Sequence, residues 1–312
     1  MIGNSIAMNQ LRTNIDKVAQ TNSRVMIIGP SGSGKEMVAR AIHKHSARSD
    51  GPFVILNAAA ITPENMETEL FGVEATDGNQ TKVGALEEAH LGTLLLDEVA
   101  EMPRETQNKI LRVLVEQKFE RVGGSKKVAV DVRILSSTSI DIEDRIAQGL
   151  FREDLFHRLA VVPVQVPSLA DRREDIGELI AAFMQQIEAQ SGIKGCEIGE
   201  DAMAVLHSHS WPGNLRQLRN NVERLMILSR GEEGEAVSAE HLPGEISDML
   251  PKTPGTSDEH IMSMPLREAR EIFERDYLLA QITRFGGNIS RTASFVGMER
   301  SALHRKLKSL GI

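Results

Sequence analysis

Residues Val25-Met-Ile-Ile-Gly-Pro-Ser-Gly-Ser-Gly-Lys-Glu36 carry the densest chemistry of the chain. Gly29, Gly32 and Gly34 let the backbone bend around an anion and turn N–H groups toward it. Pro30, Ser31 and Ser33 complete the loop, and Lys35 adds a point charge suited to β- and γ-phosphates. Such a loop needs a strand before it and a helix after it. The apolar run Val25–Ile28 supplies the strand, and Met37, Val38, Ala41 and Ile42 have helical spacing. That helix would begin with its positive dipole end at the phosphates. Strand, loop and helix in this order make a P-loop. One position departs from the pattern: Glu36 stands where a Ser or Thr usually holds Mg²⁺.

A second acidic signal follows at Gly92-Thr-Leu-Leu-Leu-Asp97-Glu98. An apolar strand that ends in two carboxylates delivers them to the cleft at the carboxyl edge of a parallel sheet. Asp97 can hold Mg²⁺ directly or through water, and Glu98 can polarise the water that attacks a γ-phosphate. Together the two signals predict MgATP as ligand.

Composition bounds the rest. The chain has 312 residues, 41% of them apolar, which suffices for two to three domains. No apolar run is long enough for a transmembrane span, and the start lacks a signal peptide's basic and apolar blocks. Cys196 is alone, so no internal disulfide forms and a cytoplasmic protein is expected. His207 and His209 lie two apart in a stretch that reads as loop, not in metal-ligand spacing. The net charge of −8 argues against a chain that coats nucleic acid along its length. From Ser263 to Ile312, however, nine cations face five acids, a local excess of +4. A basic tail on an acidic body suggests a small nucleic-acid module.

Five strands are predicted before Pro167: Val25–Ile28, Phe53–Leu56, Thr93–Leu96, Val132–Leu135 and Val161–Val166. Helical periodicity lies between them, which means an α/β fold with a parallel sheet covered on both faces. The expected divisions are 1–168 for this nucleotide-binding part, 169–249 for an all-helical lid, 250–262 for a Pro/Gly-rich linker and 263–312 for a helix-turn-helix.

Four motifs occur in order: Gly29–Glu36, Asp97-Glu-Val-Ala-Glu-Met-Pro103, Phe151-Arg-Glu-Asp-Leu-Phe-His-Arg-Leu159 and Trp211-Pro-Gly-Asn-Leu-Arg-Gln-Leu218. In this set the chain resembles the AAA+ regulators of NtrC type, bacterial two-component response regulators that act on sigma-54 RNA polymerase. The resemblance covers nearly the whole chain. It implies that Arg152 and Arg158 lie in an arginine-finger region reaching the γ-phosphate of a neighbouring subunit. That role implies a homo-oligomeric ring, a hexamer among the possible sizes. The plain alternative is a pair of surface arginines matched to Glu153 and Asp154. The resemblance further makes Arg216 a lid residue that contacts nucleotide in cis. It makes Asn57 the group that restrains the catalytic Glu98; a turn-capping Asn is the alternative.

Two positions depart from the family. Its first sensor strand ends in Thr-Asn, here Thr138-Ser139, so Ser139 is the phosphate or water contact expected there. Sigma-54 activators also carry Gly-Ala-Phe-Thr-Gly-Ala after the Glu69-Leu-Phe-Gly72 segment. This chain has the polar Val73-Glu-Ala-Thr-Asp-Gly-Asn-Gln-Thr81, which has no apolar tip to insert into a partner. Sigma-54 contact is therefore not asserted from the sequence. The receiver domain of such regulators is not in the sequence, which opens at Ile2-Gly-Asn-Ser5; it is either a piece of a longer regulator or a chain naturally without one.

The last residues read as helix-turn-helix. Asn288 or Ser290 caps a helix ending near Val296, Gly297 turns the chain, and Arg300–Leu310 forms a second helix on a Leu303, Leu307, Leu310 stripe. Arg300, Ser301, His304, Arg305 and Lys308 face outward, suited to phosphates and base edges of double-stranded DNA. This segment resembles the Fis-like module of the same regulators. A helix from Pro265 to about Phe285 would pair with its symmetry mate and make a dimer. The leading expectation is an ATP-binding, ATP-hydrolysing transcription regulator that binds promoter DNA. The alternative is a nucleotide-sensing oligomerisation module that controls DNA occupancy with little turnover.

Overall fold

The computed structural model describes residues 1–74, 82–229, 236–247 and 289–309, with positions 270, 274, 275, 277–279, 281 and 282. The 75–81 part of the loop that departs from the family and the 250–262 linker lie outside the described residues. Met1–His241 and Leu242–Ile312 form two compact units.

The first unit opens with α1 (Ile6–Ala19), capped by Ser5, whose hydroxyl accepts the Met8 N–H. Then come β1 (Val25–Ile28), α2 (Lys35–Lys44), β2 (Phe53–Asn57), α3 (Pro63–Phe71), the short α4 (Ala85–Glu88) and β3 (Thr93–Asp97). The chain continues through α5 (Arg104–Glu116), β4 (Lys118–Glu120), β5 (Lys127–Ala129), β6 (Arg133–Thr138), α6 (Ile142–Ala147), α7 (Glu153–Leu159) and β7 (Val162–Gln165). Helices α8 (Ile176–Ser191), α9 (Glu200–Ser208) and α10 (Asn214–Leu228) follow.

The sheet runs β2-β3-β6-β1-β7 with every pairing parallel. All five strands expected from the sequence are present. Their near-continuous apolar runs follow from burial on both faces. Val25 and Ile27 face Met8, Leu11 and Ile15 of α1 and Val38 and Ile42 of α2. Met26, Leu94 and Leu96 face Leu70 and Phe71 of α3, Ile110 of α5 and Leu155 of α7. Pro163, which has no N–H to donate, sits in β7 at the sheet edge.

The antiparallel pair β4–β5 is an addition that the sequence reading lacks. Its strands span three residues each, too short to show a period of two. His207 also differs from expectation: it lies within α9, while His209 follows the helix and is buried edge-on against Trp211 at 4.7 Å. Trp211 is 1% exposed and donates its indole N–H to the Leu206 carbonyl at 2.8 Å, which seats the turn before α10 in the lid core.

In the second unit α11 (Gly244–Ser247) is followed, after a gap in the described residues, by α12 (Ile289–Val296) and α13 (Arg300–Ser309). The described positions between 270 and 282 are helical. Gly297 turns between α12 and α13 at φ +72, a conformation that favours glycine. Leu303 and Leu307 are buried with Leu278 and Ala293. Ser290 lies within α12 and so is not its cap; Asn288 and Leu310 lie outside the described residues.

Candidate functional site

The parallel register decides which carboxylate meets which partner. Asn57 pairs with Asp97 across β2 and β3, so the Asn57 amide donates to Asp97 Oδ2 at 3.0 Å. On the other side of β3, the Ser137 hydroxyl of β6 donates to Asp97 Oδ1. Both oxygens keep lone pairs for a metal. The next residue leaves the sheet: Glu98 takes φ +51, ψ +49 and its N–H donates to Ser137 Oγ at 3.2 Å. This left-handed backbone, costly for a non-glycine residue, sends the carboxylate toward the end of β6.

There Glu98 Oε2 accepts two bonds from Ser139, from its N–H and its hydroxyl, each 2.8 Å. Glu98 Oε1 lies 3.0 Å from Lys35 Nζ. Burial alone would push this carboxyl up. The Lys35 and Ser139 bonds outweigh burial and hold it below the usual carboxylate range. Asn57 meets Asp97 rather than Glu98, because register fixes it one residue earlier, and its Oδ1 accepts the Ala59 N–H at 2.9 Å, as the turn-capping alternative expects. Ser139 is turned onto Glu98, because the left-handed turn brings that carboxylate across.

Lys35 is 6% exposed and also donates to the Gly29 carbonyl at 3.1 Å and the Pro30 carbonyl at 3.4 Å. Gly32 and Gly34 adopt φ +73 and +105. Helix α2 starts at Gly34 without any side-chain cap, so its first N–H groups remain for an anion. Ser33 Oγ is buried within the loop with no hydrogen-bond partner. An uncapped helix start, glycines in left-handed conformation and an orphaned hydroxyl fit a bound phosphate group. Glu36 does not point to such a group: its carboxylate takes Arg40 Nε and Nη2, each at 2.8 Å. Among the described residues no three His, Cys, Asp or Glu cluster in metal-binding fashion. A Mg²⁺ held by Asp97 and Glu98 would therefore draw its remaining ligands from phosphate and water.

Beside the loop lies a cavity of about 460 Å³. Its walls are mostly apolar: Ile2, Met8, Met37, Leu179, Phe183 and Leu215. Arg216 lines it too, with Nη1 donating to Ser31 Oγ at 3.4 Å. A mostly apolar cavity next to a phosphate loop suits a purine base. Sequence reasoning did not assign these residues to a base site, since Leu179, Phe183 and Leu215 read as ordinary apolar helix positions and Ile2 lies before the first helix.

Of the two arginines in the 151–159 motif, Arg152 is engaged within its own chain. Its guanidinium donates to both Asp154 oxygens, at 2.9 and 2.6 Å, and to Asn108 Oδ1 at 2.5 Å. Arg158 is exposed and makes no ion pair with the described residues. In the second unit, Arg300, Ser301, His304 and Arg305 are exposed along one side of α13, away from buried Leu303 and Leu307. The Lys308 side chain lies outside the described residues.

A glycine loop at the carboxyl edge of a parallel sheet, paired acids opposite it and a helical lid define a P-loop AAA+ module, here on one chain with a helix-turn-helix. Family models agree part by part: the sigma-54 interaction domain matches residues 1–165, the AAA+ ATPase lid domain 170–259, and the Fis family of bacterial regulatory proteins 269–310. The chain belongs to the sigma-54 interaction domain family, among the NtrC-type regulators and of the NtrX kind. It is 63% identical to the nitrogen assimilation regulatory protein NtrX of Azorhizobium caulinodans, over the full chain and 69% of that relative. It is 39% identical to the DNA-binding transcriptional regulator NtrC of Escherichia coli K12, over the full chain and 70% of that protein. Crystal structures of NtrX from Brucella abortus in complex with ADP and with ATP superpose with TM-scores of 0.80 and 0.79. Each is 70% identical and covers the whole chain and 70% of its own. Among the described residues no helix is long and apolar enough to cross a membrane.

Proposed function

We propose that this chain is an ATP-driven, DNA-binding transcription regulator of a two-component system of the nitrogen-regulation type. The observation that carries the reading is the Lys35–Glu98 pair at 3.0 Å beneath an uncapped helix start. In this reading Gly29 to Lys35 bind the β- and γ-phosphates, and the cavity beside them takes the adenine base. Asp97 and Glu98 would hold Mg²⁺, partly through water, and the ion would neutralise charge on the phosphate oxygens. Phosphate oxygens draw Lys35 off the carbonyls and off Glu98. The freed Glu98 carboxylate, still held by Ser139, orients and deprotonates the attacking water. Arg158 of one subunit answers the γ-phosphate of the next, so each site is shared, and Arg216 contacts the nucleotide in cis.

The divisions 1–168, 169–249, 250–262 and 263–312 then become motor, lid, linker and DNA reader. The NtrX crystals with ADP and ATP support nucleotide binding by likeness. Sigma-54 contact is left out of the proposal. The family model carries that name, but Val73–Thr81 has no aromatic or apolar tip. A homo-oligomer is required by the shared site and by paired readers in successive grooves.

The test is specific ATPase activity against protein concentration, with particle size followed in parallel. Activity per subunit is expected to rise as subunits assemble in ATP. Turnover strictly first-order in protein, with an unchanged particle, would remove the shared site, whereas assembly in ATP without turnover would leave the nucleotide-sensing alternative.

For DNA, Arg305→Ala is expected to weaken duplex binding at every sequence, because one phosphate contact is lost. The slope of log affinity against log salt should fall by about one, with ADP affinity unchanged. An unaltered salt slope in a titration would take Arg305 out of the interface.

A further inference from the structure

Three successive P-loop carbonyls, those of Ser31, Gly32 and Ser33, are each held by a donor that follows the sheet in sequence. The Ser31 carbonyl accepts the Asn214 side-chain amide at 3.0 Å. The Gly32 carbonyl accepts the Leu215 N–H at 3.0 Å, one of the N–H groups that a helix start leaves unpaired. The Ser33 carbonyl accepts Arg172 Nη2 at 3.0 Å. Nothing in a glycine-rich loop fixes peptide orientation by itself, since glycine populates both signs of φ with little cost. The Ser33 N–H donates to the Pro30 carbonyl at 3.2 Å, while the peptides whose Ser31 and Ser33 carbonyls are held carry the Gly32 and Gly34 N–H groups that an anion-binding concavity would use.

Asn214 is built for the task. It is 2% exposed and has φ +50, and its Oδ1 accepts the Leu169 N–H at 2.7 Å while its amide reaches the loop. The contact is close as well as polar: a Cβ on Gly32 would fall 2.3 Å from the Gly213 carbonyl oxygen. Arg172 is 3% exposed at a kink with φ −138, ψ +44; its other nitrogen reaches Met8 Sδ at 2.8 Å and its Nε has no partner. A buried guanidinium with no carboxylate bonded to it and a backbone carbonyl as its oxygen acceptor is costly, so its position calls for a return elsewhere.

We infer that Asn214 and Arg172 are positioning residues that pre-set the P-loop for phosphate, so the lid's placement and phosphate affinity are one coupled property. The inference rests on the nucleotide reading above and deepens it. Neither residue touches the phosphates. Each acts through the orientation of a loop peptide. Lid displacement would release the Ser31 and Gly32 carbonyls, and a loop free to turn them inward would oppose an anion. Phosphate binding and lid docking therefore favour each other reciprocally.

The experiment compares ADP with adenosine, which shares the base and ribose but has no phosphate, by competition against a fluorescent ADP analogue. Asn214→Gly suits the left-handed φ and removes the bond to Ser31; Arg172→Met keeps a long apolar stem and removes the bond to Ser33. Each is checked by thermal unfolding without nucleotide. Each variant is expected to lose about three- to tenfold in ADP affinity, the range for one net hydrogen bond. Adenosine affinity should be unchanged in Asn214→Gly; Arg172 also lines the base cavity, so Arg172→Met is read by a larger loss for ADP than for adenosine. Equal losses for ADP and adenosine, or ADP affinity equal to wild type in both folded variants, would overturn the inference while leaving the P-loop reading intact. A wild-type protein that binds neither compound would instead remove the P-loop reading itself, and this inference with it.

Discussion

Glu98→Gln is expected to stop ATP turnover and, at the same time, to tighten nucleotide binding. The two effects come from one carboxylate. Glu98 Oε1 lies 3.0 Å from Lys35 Nζ, and Lys35 is 6% exposed. A phosphate must displace that partner before it gains the lysine. A glutamine has no charge to hold Lys35 and competes far less. It also cannot take a proton from water, and loss of a general base costs about 10² to 10⁴ in rate. The expected result is therefore a fall of at least about 10² in phosphate release, with ADP affinity by calorimetry equal to or above wild type. Wild-type turnover in this variant would exclude Glu98 as the base.

The acid response follows with a definite sign. Lys35 and Ser139 outweigh burial and lower the Glu98 pKa in the folded protein. The ionised form thus adds stability above the unfolded carboxylate value. That contribution is lost as pH falls through the lower, folded value. Urea unfolding of the nucleotide-free protein at stepped acid pH should show a shallower decline in Glu98→Gln than in wild type.

The residues that the sequence made readable are those whose role is written into local order. Val25–Ile28 must be a strand because four consecutive apolar residues precede a glycine loop, and they sit in the sheet between β6 and β7. Asp97 and Glu98 could be placed at a strand end for the same reason. What local order does not contain is register. Whether Asn57 faces Asp97 or Glu98 depends on a one-residue alignment of β2 with β3, set by packing over the whole sheet. The shift of Ser139 onto Glu98 depends on a left-handed backbone at a non-glycine residue, which propensity does not foresee. The carbonyl holders of the P-loop were hidden in another way. Arg172 and Asn214 lie more than a hundred residues from the loop they bind, so no window of sequence joins them to it.

Arg158→Ala is expected to lower specific ATPase activity by about 10³ or more, the range for a lost arginine finger, with little change in ADP affinity. Geometry separates it from Arg152. Arg152 precedes α7 and is saturated in cis by Asp154 and Asn108, and the Asp154 bond holds its pKa above the ordinary guanidinium value. To act on a neighbour it must first abandon a bidentate partner, so Arg152→Ala should cost less. Arg158, in the last turn of the same helix, is exposed and has no acid partner among the described residues. Its charge adds to burial in lowering the pKa of Arg24, so a second cation feels it. Two like charges with no ion pair among the described residues are poised to receive an anion from outside their own subunit. Mixed assembly makes the decisive measurement. Lys35→Ala subunits lack a working P-loop but keep the finger, while Arg158→Ala subunits have the reverse defect. If the finger works between subunits, mixing two inactive proteins restores turnover where an intact loop meets an intact finger. If it works within one subunit, no mixture can recover activity, and the shared-site motor is wrong.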